Sequence, residues 1–264
     1  MNHPSLFNTL IMASQMGMFP FRGKIGNVVF YKLNGKWVAR AKGGPTAEQI
    51  ATDPRLVRTR ENSAEFGRAM TASQLLRATF QAMVHPNPDK LLARRLLTTM
   101  ISVVQADGKS ERGLRNVLDG KLELVEGFEF NEHGKLSNIF RAPYSSAINR
   151  ETGEMKISIP AFIPQEMVTA PPSATHLKLI SGGAELDFEN KAFKVDFNSS
   201  RELPLNNVGT PEIVLNNVVP VNSTQPLFLA LGIDFYQEVN GVMYRLTDGT
   251  FNAMAIVKVH PPVV

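Results

Sequence analysis

Apolar and polar residues change their rhythm along this chain. Residues 21–42 read as a β-hairpin: Val28 and Phe30 alternate with Val29 and Tyr31, Asn34-Gly35 supplies the positive φ angles of a two-residue turn, and Trp37 to Ala41 forms the return strand. Gly43-Gly44-Pro45 ends it. Thr46-Ala47-Glu48-Gln49 then fits a capping box, in which the Thr46 hydroxyl accepts a backbone N–H bond and the Gln49 side chain reaches back. From Thr59 to Val84 the apolar positions Phe66, Met70, Leu76, Phe80 and Met83, with Ala69 and Ser73 between them, follow the helical period. Pro86 and Pro88 break that helix. Asp89 is placed to cap a second one, whose stripe runs through Leu92, Leu96, Met100 and Val103. A third, short helix is expected from Ser110 to Leu118, ending at Gly120.

After Gly120 the period becomes two. Leu122, Leu124, Phe128 and Phe130 predict one face of a strand with Glu123 and Glu129 opposite, and Asn131 to Gly134 turns the chain towards a strand at Leu136 to Arg141. Tyr144 to Ile148 and Met155 to Ile159 flank a turn at Glu151-Thr152-Gly153. Leu177 to Phe188 and Ala192 to Phe197 flank Glu189-Asn190, with Phe193, Val195 and Phe197 on one face. Leu227 to Phe235 is apolar on both faces, as a central strand would be. Asn240-Gly241 and Asp248-Gly249 punctuate two more strands that end near Val259. The pattern predicts an α+β protein: an N-terminal β-hairpin and three-helix region, followed by an antiparallel immunoglobulin-like β-sandwich. Residues 1–20 are an extension or arm, 21–120 the hairpin and helical region, and 121–264 the sandwich.

Composition narrows the class. The 264 residues, 43% of them hydrophobic, can bury a core without a metal or disulfide staple. The absence of cysteine removes disulfide frameworks, thiolate zinc sites, iron-sulfur clusters and cysteine nucleophiles. No apolar run approaches the roughly 20 residues of a membrane-spanning helix. Leu6 to Ala13 is apolar, but Asn8 and Thr9 interrupt it and no Lys or Arg precedes it. No secretory signal is therefore read, and the cytoplasm is the default compartment, with assembly outside the cell left open. A start at Met16 or Met18 would make the first fifteen residues an extension. The net charge of +4 conceals an asymmetry, because residues 1–120 carry 17 Lys and Arg against 8 Asp and Glu, whereas residues 121–264 carry 11 against 16.

Motifs for chemistry are sparse. His3, His85, His133, His176 and His260 form no pair at metal-ligand spacing. Ser181-Gly182-Gly183 lacks the preceding glycine of a nucleophile elbow and reads as a turn. Gly108-Lys109-Ser110 resembles the end of a phosphate-binding loop, but position 103 is Val where an earlier glycine is required, so a polar helix start capped by Ser110 is expected. Gly23-Lys24-Ile25-Gly26 has the spacing of a backbone-clamping loop between two helices, yet here it enters a strand. No catalytic residue, cofactor or metal ligand is assigned.

Charge is the remaining signal. Arg22, Lys24, Lys32, Lys36, Arg40 and Lys42 decorate the hairpin, with Tyr31 and Trp37 interleaved, while Glu123, Glu126, Glu129 and Glu132 recur every third residue and predict an acidic patch. The expectation is a non-enzymatic structural subunit that self-associates head to tail, basic half to acidic half. In this reading the arm or hairpin adds a strand to the next copy, and an acidic protein is a further partner for the basic residues. The alternative is a nucleic-acid-binding module, with cations on phosphates and aromatic rings on bases. Gly26-Asn27-Val28-Val29, Asn34-Gly35-Lys36, Arg40-Ala41-Lys42 and Pro45 resemble the opening signature of an uncharacterised domain family of Bacteroidota. Its closing pattern resembles Leu231-Gly232-Ile233, Phe235-Tyr236-Gln237, Asn240-Gly241 and Tyr244, so the resemblance spans residues 17–260. The family carries no established activity, so the resemblance transfers no site residues.

Overall fold

Asn34 and Gly35 adopt φ angles of 49° and 81°, the left-handed pair that a tight hairpin turn demands. The computed structural model describes residues 12–15, 21–41, 43–84, 89–247 and 250–263. The hairpin is the centre of a four-stranded antiparallel sheet of β1 (Met12–Ser14), β2 (Gly23–Ile25), β3 (Val28–Leu33) and β4 (Lys36–Ala41), in the order β1-β4-β3-β2. β1 comes from the expected arm and pairs within its own chain, from Met12 opposite Arg40 to Ser14 opposite Val38. Those three residues are therefore a built-in strand rather than a free one. Helix α1 (Ala47–Thr52) carries the expected capping box: Gln49 N donates to Thr46 Oγ1 at 3.2 Å, and Thr46 N to Gln49 Oε1 at 2.8 Å.

The compact units divide at Arg60 and Glu61, not at Gly120. Helices that the sequence groups with the hairpin therefore belong with the large sheet. They are α2 (Val57–Thr79) and α3 (Leu92–Gln105). There follow α4 (Leu136–Ile139), β5 (Ser145–Asn149), β6 (Glu154–Ile159), α5 (Pro164–Met167), β7 (His176–Asp187), β8 (Ala192–Ser199), β9 (Leu203–Pro204), β10 (Ile213–Val218), β11 (Leu227–Val239), β12 (Val242–Arg245) and β13 (Ala253–His260). A six-stranded antiparallel sheet has β11 and β7 at its centre. β8 and β9 share the outer edge of β7, and β12 and β13 share that of β11. A three-stranded sheet, β10-β6-β5, forms a separate layer.

The two-sided apolar pattern of β11 accounts for the layering. Phe228 and Ala230 face one core with Leu76, Phe80, Leu96 and Met100 of the helical region. Leu227, Leu229, Leu231, Ile233 and Phe235 face the other, with Met155, Ile157 and Ile159 of β6 and Leu215 of β10. Each such side chain contributes roughly 1.5–3 kcal/mol on burial. The second unit is thus helices, large sheet and small sheet in three layers, a sandwich-like α+β arrangement in which the helices seal one face. Among the described residues no helix is long and apolar enough to cross a membrane.

Ser181-Gly182-Gly183 is not a turn but the buried middle of β7. A Cβ on Gly182 would meet Met83 Sδ at 2.7 Å on the helical side, and one on Gly183 would meet Asn217 Cβ and Met155 Sδ, each at 2.7 Å, on the other. Adjacent glycines thus let both outer layers close on one strand, and Ser181 Oγ donates to Asn217 Oδ1 at 2.6 Å beside them. On β13 the ladder shifts register between Leu229 and Ala230, whose partners are Lys258 and Ile256, leaving Val257 as an extra residue.

Three further expectations change. Residues 110–118 form turns rather than a helix, because Asp107 and Asn116 side chains take the backbone N–H groups that a helix would use. The expected strand at Leu122 to Phe130 is a 3-10 turn at Leu122–Val125, burying both end residues, followed by an isolated bridge from Glu129 to Ala255. The strand expected from Leu136 is α4, whose Leu136 and Ile139 point inward at a spacing of three, with Phe140 bridging Val168. The stripe on α2 is also offset: Ala69, Ala72, Ser73 and Leu76 are buried, while Phe66 and Met70 are exposed. His85, Pro86, Pro88 and the Asp248-Gly249 turn lie outside the described residues.

Substituting Gly183→Ala is expected to cost about 1–3 kcal/mol through overpacking between layers. Gly209→Ala, where nothing lies within 4 Å of an added Cβ, is expected to leave stability nearly unchanged. Urea unfolding followed by far-ultraviolet circular dichroism checks both.

Candidate interaction surface

Register divides the N-terminal sheet into two unlike faces. Lys24, Val29 and Arg40 stand in one row, Tyr31 and Val38 in the next, and Leu33 and Lys36 in the third, so one face is basic. The opposite face holds Ile25, Val28 and Ala41, then Phe30 and Ala39, then Lys32 and Trp37. Phe21 lies against this second face, its ring centroid 6.0 Å from that of Phe30. Of the basic residues picked out in the sequence, Arg22, Lys24, Lys32, Lys36 and Arg40 are exposed, whereas Lys42 lies outside the described residues.

The aromatic pair is split as well. Tyr31 sits under Arg40 on the basic face, 5.5 Å from ring centroid to guanidinium, and Trp37 sits under Lys32 on the other, at 5.7 Å. Each half-buried ring is already occupied by a cation of its own sheet. This arrangement offers no continuous platform on which successive bases could stack against both rings.

The acidic residues expected to form a patch differ in their surroundings. Glu123, Glu126 and Glu132 are exposed. Glu126 is engaged with Lys258 at 3.7 Å and accepts from Val259 N at 3.4 Å. Glu129 turns inward and accepts from Leu136 N at 2.9 Å, so that it caps α4; burial raises its pKa against the lowering effect of those N–H bonds. The spacing of three that predicted alternation on a strand instead distributes these carboxylates over a 3-10 turn and a loop.

Redrawing the boundary at Arg60 sharpens the charge contrast. Residues 1–60 carry nine Lys and Arg against two Asp and Glu, whereas residues 61–264 carry 19 against 22. The described residues of the first unit bury little. Among its described residues Val38, 8% exposed, is the one buried hydrophobic side chain, while Phe21 and Ile25 are each 61% exposed.

Polar groups that sequence reasoning missed hold loops rather than ligands. Asp107, 2% exposed, accepts from Lys109 N and Ser110 N on Oδ1 and from Asn116 N on Oδ2, at 2.8–3.0 Å. Burial alone would raise its pKa, but the N–H groups of Ser110, Asn116 and Lys109 and the Ser110 hydroxyl bring it down to about 2. Arg150 reaches the carbonyls of Ser223, Gln225 and Pro261 and donates to His260 Nδ1 at 3.1 Å, clasping the end of β13. Burial, then Arg150 and Lys258, lower the His260 pKa. Most of these partners are backbone atoms, which leave no spacing signature in a sequence.

A cleft of about 680 Å³ lies between α2 and the β7–β8 turn, lined by Gly67, Arg68, Thr71, Asp119 and Lys191 among others. Two of its charges have partners in the wall: Arg68 donates to the carbonyls of Gly113 and Arg115, and Asp119 accepts from Lys109 and Asn116. Among the described residues no group of three His, Asp or Glu is placed to hold a metal ion.

No family model matches the chain, and no curated protein does. A solved structure from work on pH-induced modulation of Streptococcus parasanguinis adhesion by Fap1 fimbriae is similar at 10% identity, over 44% of this chain and 78% of that one. The TM-score is 0.21, and a likeness that loose carries no argument.

Two measurements check the electrostatics and the thin core. The lowered Asp107 pKa stabilises the fold fully above the ordinary carboxylate range, and that contribution is lost as pH falls through about 2. Asp107→Asn is therefore expected to cost about 2 kcal/mol at pH 7, with the gap to the parent narrowing between pH 4 and pH 2 in urea unfolding. Trp37 is the sole tryptophan, so its emission follows the N-terminal sheet. In dilute protein that signal is expected to change at lower urea than the far-ultraviolet circular dichroism of the second unit. Coincident transitions would show that the sheet is not the weaker part.

Proposed function

We propose that this protein is a non-enzymatic structural subunit that associates head to tail with other copies of itself, the N-terminal unit of one meeting the second unit of the next. The observation that carries this reading is that, among the described residues of the N-terminal unit, Val38 is the one buried hydrophobic side chain. A small sheet with one buried hydrophobic side chain, and large apolar residues open on one face, gains stability when a partner covers it. Its nine cations against two anions oppose pairing with another N-terminal unit and favour the acidic second unit. Contact between unlike surfaces does not close on itself unless the rotation between copies does, so a filament or other open assembly follows, with the immunoglobulin-like sandwich as its repeating body.

Light scattering coupled to size exclusion, together with negative-stain microscopy, tests this. The expected result is a mass that grows with concentration at low salt and shrinks as salt screens exposed charge over about 8–10 Å. A variant carrying Lys24→Glu, Lys36→Glu and Arg40→Glu, all on the basic face, is expected to remain folded and smaller at the same concentration. A monomer at every concentration and salt would overturn the proposal.

A further inference from the structure

One edge of the large sheet is β8, which among the described residues pairs with β7 on one side and with no strand on the other. Its ladder fixes which backbone groups point outward. Ser200 N donates to Leu179 O at 2.8 Å, and this pair continues the register in which Ser199 lies opposite Ile180 and Ala192 opposite Asp187. Bonded pairs alternate along an antiparallel ladder, so Asn198, Asp196 and Lys194 bond to β7, while Phe197, Val195 and Phe193 turn their N–H and C=O groups away. Leu186 gives the same phase: it lies opposite Phe193 and donates to Pro226 O on the far side of β7. Phe193 and Phe197 are 41% and 39% exposed, with Val195 between them on the same face of the strand.

The order Phe193-Lys194-Val195-Asp196-Phe197 reads alike in both directions for shape and oppositely for charge. A second copy of β8 laid antiparallel on this edge, about a two-fold axis at Val195, sets Val195 opposite Val195, Phe193 opposite Phe197 and Lys194 opposite Asp196. The outward-facing residues then form three pairs of two hydrogen bonds each, and Lys194 and Asp196 fall in the unbonded pairs, where side chains approach most closely. Moving the second copy two residues either way sets Lys194 against Lys194 or Asp196 against Asp196. Both charges are open to a partner. Lys194 is exposed and, among the described residues, has no carboxylate in an ion pair with it. Asp196 Oδ2 accepts from Val218 N at 2.9 Å, which holds the carboxylate in place and leaves Oδ1 for a second cation. A lysine on an edge strand ordinarily discourages pairing, but here a carboxylate two residues on supplies its counter-charge in one register. We propose that β8 is the seam of a two-fold dimer, in which the large sheets of two copies join edge to edge about Val195. This contact is distinct from the head-to-tail one: like surface meets like, so it closes at two copies.

The full chain carrying Lys24→Glu, Lys36→Glu and Arg40→Glu isolates the seam, because those changes weaken the head-to-tail contact and leave β8 untouched. It is expected to be a dimer in light scattering. Adding Lys194→Asp, at an exposed position, sets carboxylate against carboxylate and is expected to weaken that dimer about tenfold. Adding Asp196→Lys as well restores unlike pairs and is expected to restore the dimer. Single cysteines in this cysteine-free chain read the register. Val195→Cys is expected to form a 195–195 disulfide on mild oxidation. Ala192→Cys, at a more exposed position whose counterpart stands six residues or about 20 Å away, is expected to stay unlinked. Circular dichroism shows that each variant is folded; should loss of the Val218 bond unfold the Asp196→Lys chain, the two cysteine variants decide. A monomeric triple variant with assembly retained in the unmodified protein, or linkage at 192 in preference to 195, would overturn the seam and leave the head-to-tail reading standing. A dimer of equal mass in the unmodified protein and the triple variant would uphold the seam and remove the head-to-tail reading. Monomers alone would remove both.

Discussion

The structure of the second unit depends on one strand being buried on both sides. A strand with apolar residues at successive positions, as in Leu227 to Phe235, leaves neither face for water and requires a layer on each. The helices supply one and the three-stranded sheet the other, and the Gly182-Gly183 step in the neighbouring strand lets both approach to van der Waals contact. The division of the chain at Glu61 rather than Gly120 follows from the same requirement, since the helices after Glu61 cover one face of the sheet.

The N-terminal unit is governed by the opposite circumstance. It has well-formed hydrogen-bonded elements, a hairpin turn of the right residue types and a complete capping box, but among its described residues Val38 is the one buried hydrophobic side chain. Local signals determine its shape, and tertiary burial contributes little to its stability. Few buried contacts among described residues are the mark of a segment at the low end of the stability range within one chain.

Elements whose signal is local or strongly periodic were legible in the sequence. The Asn34-Gly35 turn, the Thr46 box, the long helix after Thr59 and the two-faced strand at Leu227 all follow from their residue types. Illegible elements were those where a tertiary partner overrides local preference. Gly182 and Gly183 are turn residues by type, yet they sit mid-strand because two layers need the space a side chain would fill. Residues 110–118 have helical composition, but the Asp107 carboxylate takes the N–H groups of Ser110 and Asn116, and the Asn116 side chain takes that of Leu118. The carboxylates at 123, 126 and 129 recur regularly, but the chain there coils tightly instead of extending, so Glu129 turns to Leu136 N while Glu123 and Glu126 stay exposed. Of the candidate surface, the cations were evident and their distribution over two faces was not, because β-register depends on which strands pair.

The extra residue at Val257 bears on how the end of the chain finds its place. In the observed register Lys258 lies opposite Leu229 and Val259 opposite Phe228, so the aliphatic side chain joins the helical core and the ammonium stays at the rim beside Glu126. An uninterrupted ladder from Ile256 onward would set Lys258 opposite Phe228 and drive a lysine into that core. A one-residue slip therefore carries the desolvation penalty of a buried charge, and the irregularity in β13 works as a ratchet that selects the correct alignment of the C-terminal strand against its nearest competitor.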